Sequence, residues 1–263
     1  MNHRVRQICG LLPVVAVWLL FFLQGHIAAQ ASAPPAPAAK TAAPIDLAGY
    51  WVAVITEDWR WRMVTPAKGD YQSIPITARA QKVADAWDPA KDKAAGELCK
   101  SYGAPGLMRA PTRLHITWQD ENTLKVESDY GMQTRLFHYG NWNAPGGAGT
   151  LQGDSVADWE TPGTGRGGAA RQPEEGSKFG DLKVVTTHLR AGYLRKNGIP
   201  YSANAGVTEY WDLFHERNGD QWIMVTMRVE DPEYLSRPWI TALQFKREPS
   251  GAKWDPTACS ARW

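Results

Sequence analysis

Three stretches decide the fold of this chain: Asp181-Leu-Lys-Val-Val-Thr-Thr-His-Leu-Arg190, Thr208-Glu-Tyr-Trp-Asp-Leu-Phe214 and Trp222-Ile-Met-Val-Thr-Met-Arg-Val-Glu-Asp231. Each is rich in β-branched and aromatic residues, which favour strands. Gly198-Ile-Pro200 and Asn218-Gly-Asp220 separate them, and they favour chain reversal because Gly and Asn accept a positive φ and Pro fixes φ. These stretches therefore predict an antiparallel meander.

Strand signals continue on both sides of this meander, and a helical signal follows the first strand. A helical stripe runs from Pro75 to Trp87 with Thr77 as its N-cap, and Asp88-Pro89 begins a second short helix that runs to Leu98. The predicted strands span residues 50–62, 113–119, 123–128, 132–139, 150–160, 181–190, 208–214, 222–231 and 240–247. We therefore predict an all-β fold, an antiparallel barrel of about nine strands with one or two short helices after the first strand.

The N-terminal residues have the three parts of a secretory signal peptide. These are Arg4 and Arg6, an apolar run from Leu11 to Leu23, and small residues that end at Ala31. The run of about 13 residues is shorter than the roughly 20 that span a bilayer, so cleavage is favoured over an uncleaved anchor. We expect a signal peptide (1–31), an Ala/Pro-rich linker (32–44) and one barrel domain (45–263) in a periplasmic or secreted protein with no stable membrane span.

Charge and cysteine content bound the partners and the compartment. Without residues 1–31 the chain has 27 Lys and Arg against 27 Asp and Glu. This balance lacks the basic surface that phosphates require, so no nucleic-acid partner is predicted. An oxidising compartment favours pairing of the two remaining cysteines, Cys99 and Cys259, although two separate thiols are the alternative. The disulfide would stabilise the fold by about 4 kcal/mol in the chain-entropy model.

Short motifs lie along the predicted strands: Gly49-Tyr-Trp51, Asn197-Gly-Ile-Pro-Tyr-Ser202, Thr208-Glu-Tyr210 and Glu230-Asp-Pro-Glu-Tyr234. With them, residues 45–259 resemble a family of uncharacterised secreted bacterial proteins with a lipocalin-like β-barrel. Its members carry similar Gly-x-Pro-x-Ser, Thr-Glu-Arg and Glu-Asp-Pro signatures, and here Tyr210 stands where many have Arg. The resemblance implies a lipocalin-like fold and no established chemistry.

Alternation along a strand separates inner from outer side chains, because successive residues point to opposite sides of a sheet. Ile223, Val225, Met227 and Val229 are predicted to face inward, as are Leu114, Ile116 and Trp118, whereas His115 faces outward. The same rule places three ionisable residues on inner faces: His138, His188 and Glu209. The phase stays open, since Phe137 with Tyr139 and Val185 with Leu189 form rival inner faces.

An inward Glu209 needs a partner, because an unpaired buried charge is costly. His188 on the neighbouring strand is the expected partner, and these two residues with His138 are the candidate catalytic residues. The alternative is that Glu209 bonds backbone groups or Arg195 and that both histidines are structural. A metal site of the same three residues is disfavoured because each histidine is alone on its strand, so no metal or cofactor is predicted.

Two functions are compatible with this pattern. Thirteen Trp favour a barrel that binds a small hydrophobic or aromatic molecule in a Trp-rich cavity, walled by Trp51, Trp118, Trp159 and Trp211. Trp59 and Trp61 could also line a cavity, although a core role is favoured for them. The alternative is a cofactor-independent lyase, isomerase or hydratase that acts on a hydrophobic small molecule through a His/Glu acid–base pair. The sequence leaves open whether the protein is an enzyme, which ligand it takes and its oligomeric state.

Overall fold

The computed structural model describes residues 37–160 and 181–261. Its strands, in chain order, are β1 (Gly49–Val54), β2 (Arg113–Asp120), β3 (Thr123–Ser128), β4 (Gln133–Tyr139), β5 (Asp154–Glu160), β6 (Asp181–Thr187), β7 (Gly192–Tyr193), β8 (Pro200–Tyr201), β9 (Gly206–His215), β10 (Gln221–Glu230) and β11 (Trp239–Glu248). In this part of the chain nine strands form a closed barrel in the order β1-β11-β10-β9-β6-β5-β4-β3-β2, and β7 pairs with β8 as a separate ribbon. The predicted all-β, lipocalin-like barrel is confirmed.

The barrel is antiparallel at every junction except one. The predicted meander is present, since β6, β9 and β10 pair in an antiparallel manner. β4 and β5 pair in parallel, with Phe137 opposite Ser155, because residues 140–153 carry the chain back to the end where β4 began. The predicted signal peptide lies outside the described residues. So does the segment from Thr161 to Gly180, whose polar, Gly-rich sequence predicts a long surface loop.

Short helices connect the strands: α1 (Ala39–Ala42), α2 (Trp59–Arg62), α3 (Ala78–Ala86), α4 (Pro89–Ala94) and α5 (Ala104–Leu107), with 3-10 turns at Leu98–Tyr102 and Gly251–Lys253. The predicted start of α3 is confirmed, because the Thr77 hydroxyl accepts a hydrogen bond from the Ala80 N–H at 3.2 Å. Asp88 caps α4 in the same way, through the Ala90 N–H at 2.9 Å. The structure has more helices than predicted because four-residue helices carry no periodic signal.

The first strand ends earlier than predicted. β1 stops at Val54, and Asp58 has a left-handed φ of 51° that turns the chain into α2. The prediction that the strand continues through residues 59–62 is therefore wrong. The alternation of Trp and Arg in this stretch resembled a strand, but the backbone at Asp58 redirects it into a helix.

The folded region begins within the predicted linker. Ala39 in α1 is buried, and its carbonyl accepts a hydrogen bond from the Trp159 indole at 2.9 Å. The Lys40 N–H donates to the Glu121 carbonyl at 3.1 Å. These contacts place α1 over the end of the barrel where Glu121 and Trp159 lie. Composition did not reveal this role, because an Ala-rich stretch has little to bury on its own.

The opposite end of the barrel is covered by segments 55–112, 188–205 and 231–238, which we call the cap. The Thr77 N–H donates to the Tyr234 carbonyl at 2.9 Å, and the Arg109 guanidinium lies 4.9 Å from the centre of the Trp239 ring. The predicted Cys99–Cys259 disulfide is present and joins the cap to the C-terminal tail.

Side chains fill the barrel interior in the predicted phase on several strands. Ile223, Val225 and Met227 are fully buried, as are Leu114 and Ile116. Within residues 37–160 and 181–261 no helix is long and apolar enough to cross a membrane.

Candidate functional site

Glu209 faces the barrel interior as predicted, but its partner is Arg135. The two terminal nitrogens of Arg135 donate to the two carboxylate oxygens of Glu209 at 2.9 and 2.6 Å, and one of them also donates to the Thr186 hydroxyl at 3.1 Å. The predicted pairing of Glu209 with His188 is wrong. The rival phase of β4 is the real one, since Phe137 and Tyr139 point inward and bring Arg135 with them.

His138 therefore lies on the outer face of the barrel. Its ring stacks on Trp142 with centroids 4.0 Å apart, and Nδ1 is 3.4 Å from the Thr123 hydroxyl. Partial burial lowers the pKa of His138, while Asp120 and Asp154 oppose that shift. The prediction that His138 points inward is therefore wrong, because the phase of β4 places its side chain on the outer face.

His188 is also outside the barrel. β6 ends at Thr187, and His188 has a left-handed φ of 55° that breaks the alternation and exposes its ring. Its Nδ1 is 2.7 Å from Asp154 Oδ2, and Nε2 is 2.9 Å from the Gly147 carbonyl. The structure does not bring the three candidate catalytic residues together, so a catalytic role for any of them stays a prediction.

The four predicted ligand-binding tryptophans belong to two different environments. Trp51 and Trp211 are fully buried in the barrel, where the Trp51 indole donates to the Leu47 carbonyl at 2.9 Å. Trp118 and Trp159 are half-buried and pack around Tyr139, with ring centroids 5.7 and 5.3 Å from it. None of three pockets in the described part of the chain is lined by any of them. Ligand binding through these residues stays a prediction.

One of these pockets lies in the cap and combines several positive charges with aromatic and apolar side chains. Its cavity volume is about 30 Å³. It lies between α2, the 3-10 turn before α5, α5 itself, the loop from β7 to β8 and the turn from β3 to β4. The residues that line it are Trp61, Arg62, Ser101, Tyr102, Gly106, Leu107, Arg109, Ala110, Tyr130, Leu194, Arg195 and Lys196. We call this the cap pocket.

Arg62 is the least satisfied residue of the cap pocket. Its side chain is 2 % exposed, and its Nε donates to the Arg109 carbonyl at 2.8 Å. Its two terminal nitrogens are buried and have no hydrogen-bond partner among the described residues. Burial first, and then the charge of Arg109, lower the pKa of Arg62 to about 10, while Glu57 and Asp58 oppose the shift.

Two further arginines line the pocket, and hydrogen bonds to other residues of the cap fix their positions. Arg109 donates to Asp58 at 2.6 Å and to Glu57 at 3.3 Å. Arg195 donates to the Gln72 carbonyl at 3.0 Å and the Ser73 hydroxyl at 2.9 Å, and burial followed by the charge of Arg109 lowers its pKa to about 10. The described lining residues include no carboxylate. The wall of the pocket therefore presents three guanidinium groups, while the carboxylates that pair with Arg109 lie behind it.

Lys196 lies between two tyrosine hydroxyls at the same pocket. Its Nζ donates to Tyr102 at 2.6 Å and to Tyr130 at 2.7 Å. The N–H of Ser260 in the C-terminal tail donates to the Tyr102 hydroxyl oxygen at 2.9 Å. Because Ser260 follows Cys259, the disulfide holds this N–H against Tyr102.

Sequence reasoning missed most of this site. It noted Trp61 as a possible cavity residue and Arg195 as a possible partner of Glu209, but no spacing connects Arg62, Tyr102 and Lys196. They come from irregular segments that carry neither strand nor helix periodicity. A comparison with family models gives no match, and a comparison with curated proteins gives none either.

Proposed function

We propose that this protein is an exported barrel that binds a small organic anion, with the anionic group in the cap pocket. The observation that carries the proposal is the buried Arg62, whose terminal nitrogens have no partner among the described residues. A buried guanidinium without a partner is costly, and an anion would compensate it. Guanidinium groups bind carboxylate and phosphate with two parallel hydrogen bonds, so these are the preferred ligand groups.

The size and lining of the pocket narrow the ligand further. A volume of about 30 Å³ has room for a head group such as a carboxylate, whereas sites for whole drug-sized ligands are about 300 to 1,000 Å³. Trp61, Leu107 and Leu194 supply aromatic and apolar contacts around the charges. The ligand class expected here is a carboxylate on a small apolar or aromatic body, which keeps the apolar part of the sequence-based expectation and adds a charge.

Export and kinship with the secreted bacterial proteins belong to the same proposal. The disulfide supports export, because such bonds persist mainly in oxidising compartments. The lipocalin-like barrel supports the kinship, since it is the fold that the resemblance implies. The small organic acid takes the place of the hydrophobic ligand as the expected partner.

Binding of benzoate and of its neutral analogue benzamide tests the proposal. We expect the protein to bind benzoate more tightly, and Arg62→Gln to weaken benzoate binding by about 2 kcal/mol, roughly 30-fold in Kd, because a charge-assisted hydrogen bond is lost. Titration calorimetry at two salt concentrations measures both effects.

Arg217→Gln is the matched control, because Arg217 is exposed in the turn between β9 and β10 at the opposite end of the barrel. It should bind benzoate as the parent protein does. Equal affinity for benzoate and benzamide, or unchanged benzoate binding by Arg62→Gln, would overturn the assignment of the anion to this pocket.

A further inference from the structure

Anion binding leaves one feature of the cap pocket unused, which is the pair of tyrosines that share the ammonium group of Lys196. Tyr102 and Tyr130 stack with centroids 5.1 Å apart, and both hydroxyls are within 2.7 Å of Lys196 Nζ. Ordinary core tyrosines need a single partner for the hydroxyl. A shared cation between two phenols places three proton-carrying groups beside an anion site.

The hydrogen bonds around the Tyr102 oxygen favour its ionised form. The oxygen accepts from Lys196 Nζ at 2.6 Å and from the Ser260 N–H at 2.9 Å. The acceptors available to its own proton, the carbonyl and hydroxyl oxygens of Ser260, are more distant at 3.3 Å. Short bonds to the oxygen and long bonds from its proton stabilise a phenolate over a phenol.

The surroundings shift the pKa values of Tyr102 and Tyr130 in opposite directions. Burial alone would raise the pKa of Tyr102, but the hydrogen bonds from Lys196 and Ser260 outweigh it and place that pKa below its usual value. Burial raises the pKa of Tyr130 far above its usual value, and the hydrogen bond and charge of Tyr102 add to the shift. Groups whose pKa values are separated in this way are suited to act as base and acid.

Among the described residues, most ionisable groups that line the cap pocket with Tyr102 are cations, and Glu57 and Asp58 lie beside it, paired with Arg109. Lys196 and Arg195 come from the loop between β7 and β8, Arg62 from α2 and Arg109 from the end of α5, while Tyr130 comes from the turn between β3 and β4. Burial lowers the pKa of Lys196, and its hydrogen bond to Tyr102 opposes the shift. Of these cations, Lys196 contacts the Tyr102 oxygen directly and stabilises a phenolate electrostatically.

We infer that Tyr102 and Tyr130 are the general base and general acid of a cofactor-independent proton transfer, at the carbon next to the carbonyl of a small oxo acid whose carboxylate lies in the cap pocket. The inference rests on the proposed anion binding and deepens it, because it names both the reaction class and the substrate class. It replaces the predicted His/Glu pair with residues that the structure brings together.

The step balances without an oxidant, a reductant or a cofactor. The Tyr102 phenolate takes a proton from the carbon beside the carbonyl, the C–H electron pair forms a carbon–carbon double bond, and the carbonyl π pair moves to oxygen. Arg62 stabilises the resulting enolate. The enolate carbon then takes a proton from the Tyr130 phenol as the carbonyl reforms. Lys196 passes a proton from Tyr102 to the Tyr130 phenolate, which restores both residues.

Ionisation of Tyr102 is tested without any ligand. Tyrosinate absorbance near 295 nm is followed against pH for the parent protein, for Tyr102→Phe and for Lys196→Met. We expect an early ionisation step in the parent, its loss in Tyr102→Phe and its shift to higher pH in Lys196→Met. Tyr71→Phe is the control, because Tyr71 bonds Asp85 elsewhere in the cap and burial raises its pKa to about 12. An early step that survives in Tyr102→Phe would overturn the assignment of the base.

Proton transfer is tested with 2-oxobutanoate in D₂O, by proton NMR of deuterium entry at C3. We expect the parent protein to accelerate exchange by about 100-fold or more, the usual contribution of a positioned base. Tyr102→Phe should lose this acceleration by lowering kcat while it still binds benzoate. Arg62→Gln should both raise KM and lower kcat, because Arg62 binds the carboxylate and stabilises the enolate. No acceleration by the parent protein, or full acceleration by Tyr102→Phe, would overturn the inference.

The two hypotheses fail in different ways. Equal affinity for benzoate and benzamide would rule out both the anion site and the proton transfer. Tighter binding of benzoate without accelerated deuterium exchange would rule out the proton transfer alone, and the protein would then be a binding protein. A cooperative thermal transition in each variant confirms that it is folded, and Tyr102→Phe keeps the ring that stacks on Tyr130.

Discussion

Arg135 in the barrel and Arg62 in the cap are both buried arginines, but their surroundings differ. Both terminal nitrogens of Arg135 bond Glu209, which is itself fully buried. The terminal nitrogens of Arg62 have no partner among the described residues, and the side chains that line the pocket around it add further cations. The first guanidinium is neutralised by a directly bonded carboxylate, whereas the second bonds no carboxylate among the described residues.

This difference separates a structural ion pair from a binding site. A closed pair inside a barrel fixes the phase of two strands, here β4 and β9, because each side chain must point at the other. The guanidinium of Arg62 does not set the phase of any strand, because its terminal nitrogens bond no described residue. Its charge would be compensated by a ligand in the pocket. Substitutions in the two regions should therefore affect different observables, stability in the barrel and binding in the cap.

The largest effect is expected for Glu209→Gln, which leaves the charge of Arg135 buried without a counterion. We expect it to lower the free energy of unfolding by about 4 kcal/mol, the usual cost of removing one member of a buried pair. Urea unfolding measures the change. Benzoate binding by the folded fraction should be unaffected, because Glu209 does not line the cap pocket.

The double variant Arg135→Met/Glu209→Leu is the control for this prediction. Replacing both charges by apolar side chains removes the buried ions together, so most of the lost stability should return. A single variant as stable as the parent protein would show that the pair does not hold β4 and β9 in phase.

A smaller effect on stability is expected for Arg62→Met. This variant loses the 2.8 Å bond from Nε to the Arg109 carbonyl but relieves the repulsion from Arg109. We expect the free energy of unfolding to change by less than about 1 kcal/mol, since a typical net hydrogen bond contributes that much. A loss of several kcal/mol in the same urea experiment would show that Arg62 is structural, as Arg135 is.

The smallest effect is expected at the exposed ion pair of His188 and Asp154. The hydrogen bond to Asp154, and then the bond to the Gly147 carbonyl, raise the pKa of His188 above its unfolded value of 6.5. Its contribution to stability is therefore complete below that unfolded value and is lost as pH rises through the raised pKa. NMR titration of the imidazole should show the raised pKa in the parent protein and a lower one in Asp154→Asn. Solvent screening keeps the accompanying change in stability small, and equal pKa values in the two proteins would show that the pair does not form.

The barrel could be predicted from the sequence because its strands obey a simple period. Ile223, Val225 and Met227 alternate with outward-facing residues, and that alternation survives in the structure because one face of β10 fills the core. The predictions failed where one backbone residue interrupts the period. Asp58 and His188 both have a left-handed φ. Asp58 redirects the chain into α2, and His188 turns its own side chain away from the barrel interior.

The cap pocket could not be predicted because no local rule connects its parts. Arg62, Tyr102 and Lys196 meet only through the packing of helices and loops of about four to six residues, which are too short to show a helical period. On β4 the sequence offered two phases, and the ion pair that decides between them links residues 74 positions apart. Such long-range pairs are set by tertiary packing, which periodicity along a single strand does not contain.

The Cys99–Cys259 disulfide couples the cap pocket to the oxidation state of the molecule. Beyond β11 the chain passes Tyr50, which Trp254 contacts, and Tyr130, with which Thr257 pairs. Cys259 then bonds Cys99, and the Ser260 amide donates to Tyr102. All barrel strands of the described region are paired without any contribution from this tail. The oxidation state of two cysteines therefore bears on the tyrosine pair of the pocket and not on the pairing of the barrel strands.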